Sequence, residues 1–219
     1  MRISKKLCVS FILIFWVSPV WAGSHSETLD QQKKGETTTS SASAVFAGGC
    51  FWCMESPYDK LKGVISTTSG YTNGHLKNPS YKQVSAGTSG HIEALKVVYD
   101  PSQVSYQQLL DVFWRNIDPL DGGGQFCDRG SQYVSAIFYI DESQRQKAQD
   151  SLVALVDAAI FEQPIQTKII AASQFYPAEP YHQNYYQRNP IRYKYYRWNC
   201  GRDQRLQTLW RKKSAPQQH

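Results

Sequence analysis

Ala44-Val45-Phe46-Ala47-Gly48-Gly49-Cys50-Phe51-Trp52-Cys53-Met54-Glu55 passes from a β-type run through two glycines into a helix-type run, with a cysteine at the junction. Over residues 54–62 the charged Glu55, Asp59, Lys60 and Lys62 are set around Met54, Tyr58 and Leu61, which predicts a short amphipathic helix. Cys50 then lies at a helix N-terminus, where unpaired N–H groups and the helix dipole favour a thiolate over a thiol. The thiolate is the nucleophilic form of cysteine, so the position marks a reactive sulfur. Phe51 and Trp52 beside it make a poor metal cage and a good pocket for an apolar or thioether group.

Working outward, residues 45–47 read as a strand, 51–61 as a helix, and 64–71 alternate in β fashion before the turn Asn73-Gly74. The clearest strand is 92–99, with Ile92, Leu95, Val97 and Tyr99 apolar or aromatic and Asp100-Pro101 ending it. Ser105 caps a helix over 106–117 whose buried face is Leu109, Leu110, Val112, Phe113 and Ile117. A polar, glycine-rich loop over 118–131 has a length that often signals function. Strand 134–140, helix 142–161 and strand 167–172 complete the pattern. This order predicts an α+β fold, a ferredoxin-like two-layer sandwich with a mixed, mostly antiparallel sheet and packed helices. Beyond Ser173 a long irregular C-terminal segment is expected, broken by a short helix around 181–188.

Arg2, Lys5 and Lys6, an apolar run over 7–17 and Val20-Trp21-Ala22 predict a signal peptide at 1–22, which takes Cys8 with it. Its apolar run is short against the roughly 20 residues of a membrane span, so no stable membrane anchor is expected. Residues 23–43, rich in Ser, Thr and Gln, read as a disordered linker. Residues 44–210 form one catalytic domain, expected to be a monomer, and 211–219 a disordered tail. Removing three of the 24 basic residues leaves 21 against 18 acidic ones, a charge of +3. That balance argues against nucleic acid, and Arg192, Lys194 and Arg197 read as an ordinary basic surface. The product is exported, and periplasmic if the source is Gram-negative.

Four cysteines remain: Cys50, Cys53, Cys127 and Cys200. An oxidising compartment suggests structural disulfides, but a domain of this size folds without staples. Zinc is disfavoured because the C-x-x-C pair lacks a second closely spaced pair of ligands. Redox catalysis by partner thiols is the sharper reading, with no bound cofactor and no metal.

Gly49-Cys50-Phe51-Trp52 resembles the signature of the peptide methionine sulfoxide reductase A family. The resemblance continues in order through Ser69-Gly70-Tyr71, Asn78-Pro79-Ser80-Tyr81, Gly90-His91-Ile92-Glu93, Val98-Tyr99-Asp100-Pro101, Phe126-Cys127-Asp128-Arg129-Gly130-Ser131-Gln132-Tyr133 and Ala178-Glu179-Pro180-Tyr181-His182-Gln183. It implies reduction of methionine-(S)-sulfoxide, free and in proteins, through a Cys50 sulfenic acid. Glu93, an unusual carboxylate inside a β-type run, becomes the proton donor. Tyr81 and Tyr133 become hydrogen-bond donors to the sulfoxide oxygen, Asp128 a second acid that holds the site's hydrogen-bond network, and Phe51 and Trp52 the wall for the ε-methyl group. His91 reads as structural. A second thiol resolves the sulfenic acid to a disulfide, which a thioredoxin-like dithiol reopens. Cys200, in a glycine-containing C-terminal segment, is favoured for that step; Cys53 and Cys127 stay open. Two other readings are a thioredoxin-like disulfide oxidoreductase built on Cys50 and Cys53, and a disulfide-stapled binding module.

Overall fold

The computed structural model describes residues 40–211. The expected signal peptide at 1–22, residues 23–39 of the expected linker and residues 212–219 of the expected tail lie outside the described residues. The first strand, β1 (Ala42–Gly48), begins inside the expected linker, where Ala42 and Ser43 pair with Tyr99 and Val98. Backbone pairing does not require apolar side chains, so composition concealed those two residues.

A helix, α1 (Phe51–Asp59), follows at the predicted place. It is not amphipathic: Phe51, Cys53, Met54, Glu55, Ser56 and Tyr58 are all buried. Met54 and Tyr58 enter the main core, and Phe51 joins a second cluster with Tyr71, Val84 and Ala178. Next come β2 (Val64–Thr72), α2 (Tyr81–Ser85), β3 (Ile92–Tyr99) and α3 (Tyr106–Arg115). The five-residue α2 is too short to show a period, and Ser80 starts it by donating its N–H to Gln83 Oε1 at 2.9 Å. Ser105 caps α3 as expected, accepting the Gln108 N–H at 3.2 Å.

The glycine-rich loop contains a small hairpin, β4 (Gly124–Gln125) with β5 (Asp128–Arg129), turned at Phe126 with φ of 57°. After it come β6 (Ser135–Tyr139), α4 (Glu142–Asp157), β7 (Lys168–Ala171) and β8 (Tyr176–Pro177). The segment beyond Ser173 is not irregular. It carries α5 (Tyr185–Arg188), α6 (Pro190–Asn199) and α7 (Arg202–Trp210). Pro190 presets the first turn of α6, and Gly201, at φ of 65°, separates α6 from α7. Each long helix buries little: Tyr193 in α6, Arg202 and Leu206 in α7. The apolar stripe that would have announced them is therefore missing from the sequence.

The six strands lie in the order β7-β6-β1-β3-β2-β8. Every pairing is antiparallel except β6 with β7, which α4 joins as a crossover. Phe46, Leu95, Val97, Leu110, Phe113 and Ile137 fill the core on the side of α1, α3 and α4, so the fold is a mixed α+β sandwich. On the other face lie smaller residues, Val45, Ala47, Ala94 and Ala136.

Strands β7 and β8 occupy opposite edges although only residues 172–175 join them. Five spacings of about 4.8 Å make roughly 24 Å across a flat sheet, while five extended steps reach only about 18 Å. The sheet therefore curls, and the end of β2 meets the crossing segment. Thr72 Oγ1 donates to Gln174 O at 3.1 Å and Asn73 N–H to Ser173 Oγ at 2.9 Å. Phe175 crosses directly over Gly70, where a β carbon would come within 2.4 Å of its ring and of the Tyr176 carbonyl. Gly70→Ala is accordingly expected to lower stability by about 1–3 kcal/mol, the usual cost of overpacking, measured by urea unfolding with an unchanged m value.

Candidate active site

The turn into α1 is built by exclusion. A β carbon on Gly48 would stand 2.5 Å from Met54 Sδ, and one on Gly49 would stand 2.6 Å from Gln125 Cβ. Gly49 also has φ of 79°, so only glycine brings Cys50 to the N-cap here without strain. Cys50 and Cys53 are both free and buried, one turn apart, and the Cys53 N–H donates to the Cys50 carbonyl at 3.0 Å.

Glu93 stands on β3 opposite Tyr71 of β2 and is 2 % exposed. Its carboxylate accepts the Phe51 N–H at 3.2 Å, so the first open donor of α1 points at this acid. Burial raises its pKa to about 8 despite that hydrogen bond, with Asp128 and Cys53 adding to the rise. Glu93 is thus mostly protonated at neutral pH.

The two thiols divide their proton against expectation. Burial, a hydrogen bond to Cys53 and the nearby carboxyls of Glu93 and Asp128 push Cys50 well above its ordinary value. The same hydrogen bond lowers Cys53 to about 7; burial opposes this, while Arg202 and Arg197 assist. Burial thus favours the thiol at Cys50, and the hydrogen bond favours the thiolate at Cys53. The helix terminus does favour a thiolate, but removing the Cys50 sulfur from water outweighs it.

Around these groups lie the other residues singled out from sequence. Asp128 accepts the Tyr196 hydroxyl at 2.5 Å and the Cys50 N–H, while burial raises its pKa. Tyr81 and Tyr133 are hydrogen-bonded to one another; burial raises Tyr81 to about 12 and Tyr133 still further, so both remain phenols. Phe51 is buried and Trp52 half-buried. Cys200 is joined in a disulfide to Cys127, with a Cα separation of 4.9 Å. Its sequence neighbourhood gave no sign of this, because both cysteines sit in stretches read as loop. A cleft of about 490 Å³ lined by Asp118, Asp121, Phe126 and Arg205 borders that disulfide. Among the described residues, the donor atoms close enough to share a cation are those of Cys127, Asp128 and Cys200, and the two sulfurs are spent on each other.

Three further residues complete the site. Tyr185 stacks on Trp52 with ring centroids 3.7 Å apart and planes 7° from parallel, and Tyr196 meets the same indole edge-on at 5.8 Å. His182 accepts the Trp52 indole N–H at 3.1 Å and packs against Phe51 and Tyr81 at 5.0 and 4.5 Å. Burial lowers the His182 pKa, keeping it neutral. Glu55, fully buried and raised to about 7 by desolvation, accepts the Asn184 N–H at 2.9 Å and anchors this segment. Glu179 and Gln183 anchor it from the other side. Glu179 accepts Tyr71 OH and Tyr81 N–H, each at 2.8 Å; Gln183 pairs with both backbone groups of Ser69 at 2.9 Å. The block containing Glu179, His182 and Gln183 was visible in sequence, but nothing there assigned it a task. His91 is structural, its ring holding Gly74 N–H and Leu76 O at 3.2 and 2.8 Å.

A family model described as peptide methionine sulfoxide reductase matches residues 42–214. The chain belongs to this family. The MsrA of Bacillus licheniformis is 48% identical over 174 residues, 80% of this chain and 96% of the relative. That of Bacillus subtilis is 47% identical over 167 residues, 76% of this chain and 94% of the relative. Among solved structures, reduced Mxr1 from Saccharomyces cerevisiae superposes with a TM-score of 0.65 at 30% identity, covering 69% of this chain and 87% of that one. MsrA of Corynebacterium diphtheriae gives 0.62 at 31% identity, covering 69% and 76%. The reductase is therefore a peptide-methionine (S)-S-oxide reductase, an oxidoreductase of the A class.

Burial of Glu93 ties the reductase's stability to a proton. Its pKa rises from 4.5 to about 8, so the folded state binds this proton more tightly than the unfolded chain. Stability linked to that proton is fully present at low pH and is lost as pH climbs from about 4.5 to about 8. Glu93→Gln is expected to gain stability over the native protein across that window, by at most about 1.4 kcal/mol per pH unit, in urea unfolding repeated along a pH series.

Proposed function

We propose that Cys50 attacks the sulfoxide sulfur of methionine-(S)-sulfoxide, free or in oxidised proteins, while Glu93 protonates its oxygen, and that the enzyme serves protein repair. The observation that carries this is the protonated Glu93 held at the same helix terminus as Cys50. A nucleophile and an acid so placed match the two demands of sulfoxide reduction, a sulfur attacked and an oxygen that must become a leaving group.

Proton inventory supports the order of events. Cys53, as the favoured thiolate, takes the Cys50 proton as attack begins, and Glu93 delivers its own to the oxygen. Methionine leaves, and Cys50 carries a sulfenic acid. Tyr81 and Tyr133, both phenols, donate hydrogen bonds to the oxygen as its charge grows. Phe51 and Trp52, the latter backed by Tyr185, receive the methyl group. Asp128 braces the turn through the Cys50 N–H.

For resolution, the geometry supports Cys53 over Cys200. Cys53 is free and hydrogen-bonded to Cys50, while Cys200 is committed to Cys127. Cys53 returns its proton to the emptied Glu93 carboxylate and closes a disulfide with Cys50, releasing water. A thioredoxin-like dithiol is the proposed reductant, because thiolate attack is the route by which such a bond reopens. No bound cofactor enters the scheme. The inner strand order β6-β1-β3-β2 supports reading the core as ferredoxin-like. The basic start and apolar run of residues 1–22 support export of a monomeric enzyme, and no helix among the described residues is long and apolar enough to cross a membrane.

Single-turnover assays test this reading. One methionine is expected per disulfide formed, and peptide mapping is expected to find Cys50 bonded to Cys53. Cys50→Ser is expected to abolish turnover, and full activity in that variant would sink the scheme. Glu93→Gln is expected to slow the reductive step by about 10²–10⁴, the range for losing a general acid. The native rate should rise as Cys53 ionises near pH 7 and fall as Glu93 loses its proton near pH 8.

A further inference from the structure

Arg202, the first residue of α7, is 1 % exposed, and its guanidinium lies against the backbone that carries Cys50. Nη2 donates to Gly48 O at 3.0 Å and Asn116 O at 2.5 Å, and meets Met54 Sδ at 3.3 Å. Nη1 lies 3.8 Å from the place a Gly49 β carbon would take, and the Phe126 ring covers the guanidinium at 4.4 Å. All of these partners are neutral, and among the described residues the buried Nε has no hydrogen-bond partner. The neighbouring arginines differ: Arg197 is paired with Asp203, Arg205 with Asp118 and Arg129 with Asp121. A guanidinium cannot shed its proton, and burying it without an anion is strongly disfavoured.

Two acidic groups feel its charge: at Cys53 it adds to the lowering by the Cys50 hydrogen bond, and at Asp128 it offsets part of the rise caused by burial. Asp128 is already supplied with donors by Tyr196 and the Cys50 N–H. We propose that Arg202 is a positioning residue for resolution, its fixed charge beneath the Cys50–Cys53 turn favouring the Cys53 thiolate once Cys53 has passed its proton to Glu93. This rests on the reading that Cys53 resolves. In the step, the Cys53 electron pair forms the S–S bond, and the S–O bond breaks with its pair on oxygen. The departing hydroxide takes the proton that Cys53 had returned to Glu93 and leaves as water. The Cys127–Cys200 disulfide fixes the arrangement, since Phe126 precedes one half-cystine and Arg202 follows the other by two residues.

Cys53 also feels Cys50 on its own turn, Glu93 from β3, Asp128 from β5, and Tyr193, Tyr196 and Arg197 from α6. The test must therefore isolate Arg202. NMR titration of isotope-labelled cysteine β carbons reads Cys53 directly in the whole protein. In the native protein the midpoint is expected near pH 7; a midpoint at the ordinary thiol value of 9.0 overturns the proposal without any variant. Arg202→Lys, which keeps the charge, is expected to hold the midpoint. Arg202→Met is expected to raise it by about one unit and slow disulfide closure at pH 7 about fivefold, as the thiolate fraction falls. A folded Arg202→Met protein with an unchanged midpoint also overturns it. Mapping the disulfide separates the two ideas: a Cys50–Cys200 bond after one turnover defeats the resolving role of Cys53, whereas the Cys53 midpoint judges Arg202 alone.

Discussion

Taking Cys50, Cys53 and Glu93 out of water together, with Asp128 at their margin, means that they cannot all ionise. Most features of the site answer that constraint. The first N–H of α1 is turned on Glu93, the Cys50 N–H on Asp128, and the Cys50 thiol on Cys53. Each donor favours one charge over another, so the space settles on a single thiolate and a single mobile carboxyl proton. The glycine pair, the strand position of Glu93 and the buried arginine of α7 are all means of holding these donors at contact distance.

A second layer of construction concerns shape. Trp52 is clamped by Tyr185 on its face, Tyr196 at its edge and His182 at its N–H, so the indole has one orientation. The clamp is held by polar anchors rather than by apolar burial. Glu55, Glu179 and Gln183 each spend carboxyl or amide groups on backbone N–H and C=O of the partner segment. Such anchors are directional, which fixes the segment against Trp52 at a set distance and angle.

What the sequence disclosed was local. A cysteine after two glycines and a carboxylate inside a β-type run both break the pattern around them, and the fold brings both to the start of α1. Strands β1, β2, β3, β6 and β7 and helices α1, α3 and α4 were legible from period and caps. Helices α6 and α7 were not, because they bury one or two residues each and bind through polar contacts. The unequal shifts of the two thiols were hidden for a related reason: burial, their mutual hydrogen bond and charges from distant parts of the chain, Arg202 among them, all enter. Nor does cysteine spacing disclose proximity, so the Cys127–Cys200 pairing could not be read from it. With 14 tyrosines present, Tyr185 and Tyr196 carried no individual signal either.

The clamp over Trp52 also sets a timetable. Its contacts join residues far apart in the chain: 130 positions between Trp52 and His182, 129 between Glu55 and Asn184, 154 between Gly48 and Arg202. Contacts of such separation close late, after the entropy of the intervening loop has been overcome. The reactive thiol emerges early during synthesis, whereas its cover is among the last segments made. Between those moments Cys50 is an ordinary exposed cysteine with neither its acid in place nor its wall. The clamp is therefore completed only at the close of folding, and a chain cut short before α5 would keep its sheet and His182 but lack Tyr185, Tyr196 and Arg202.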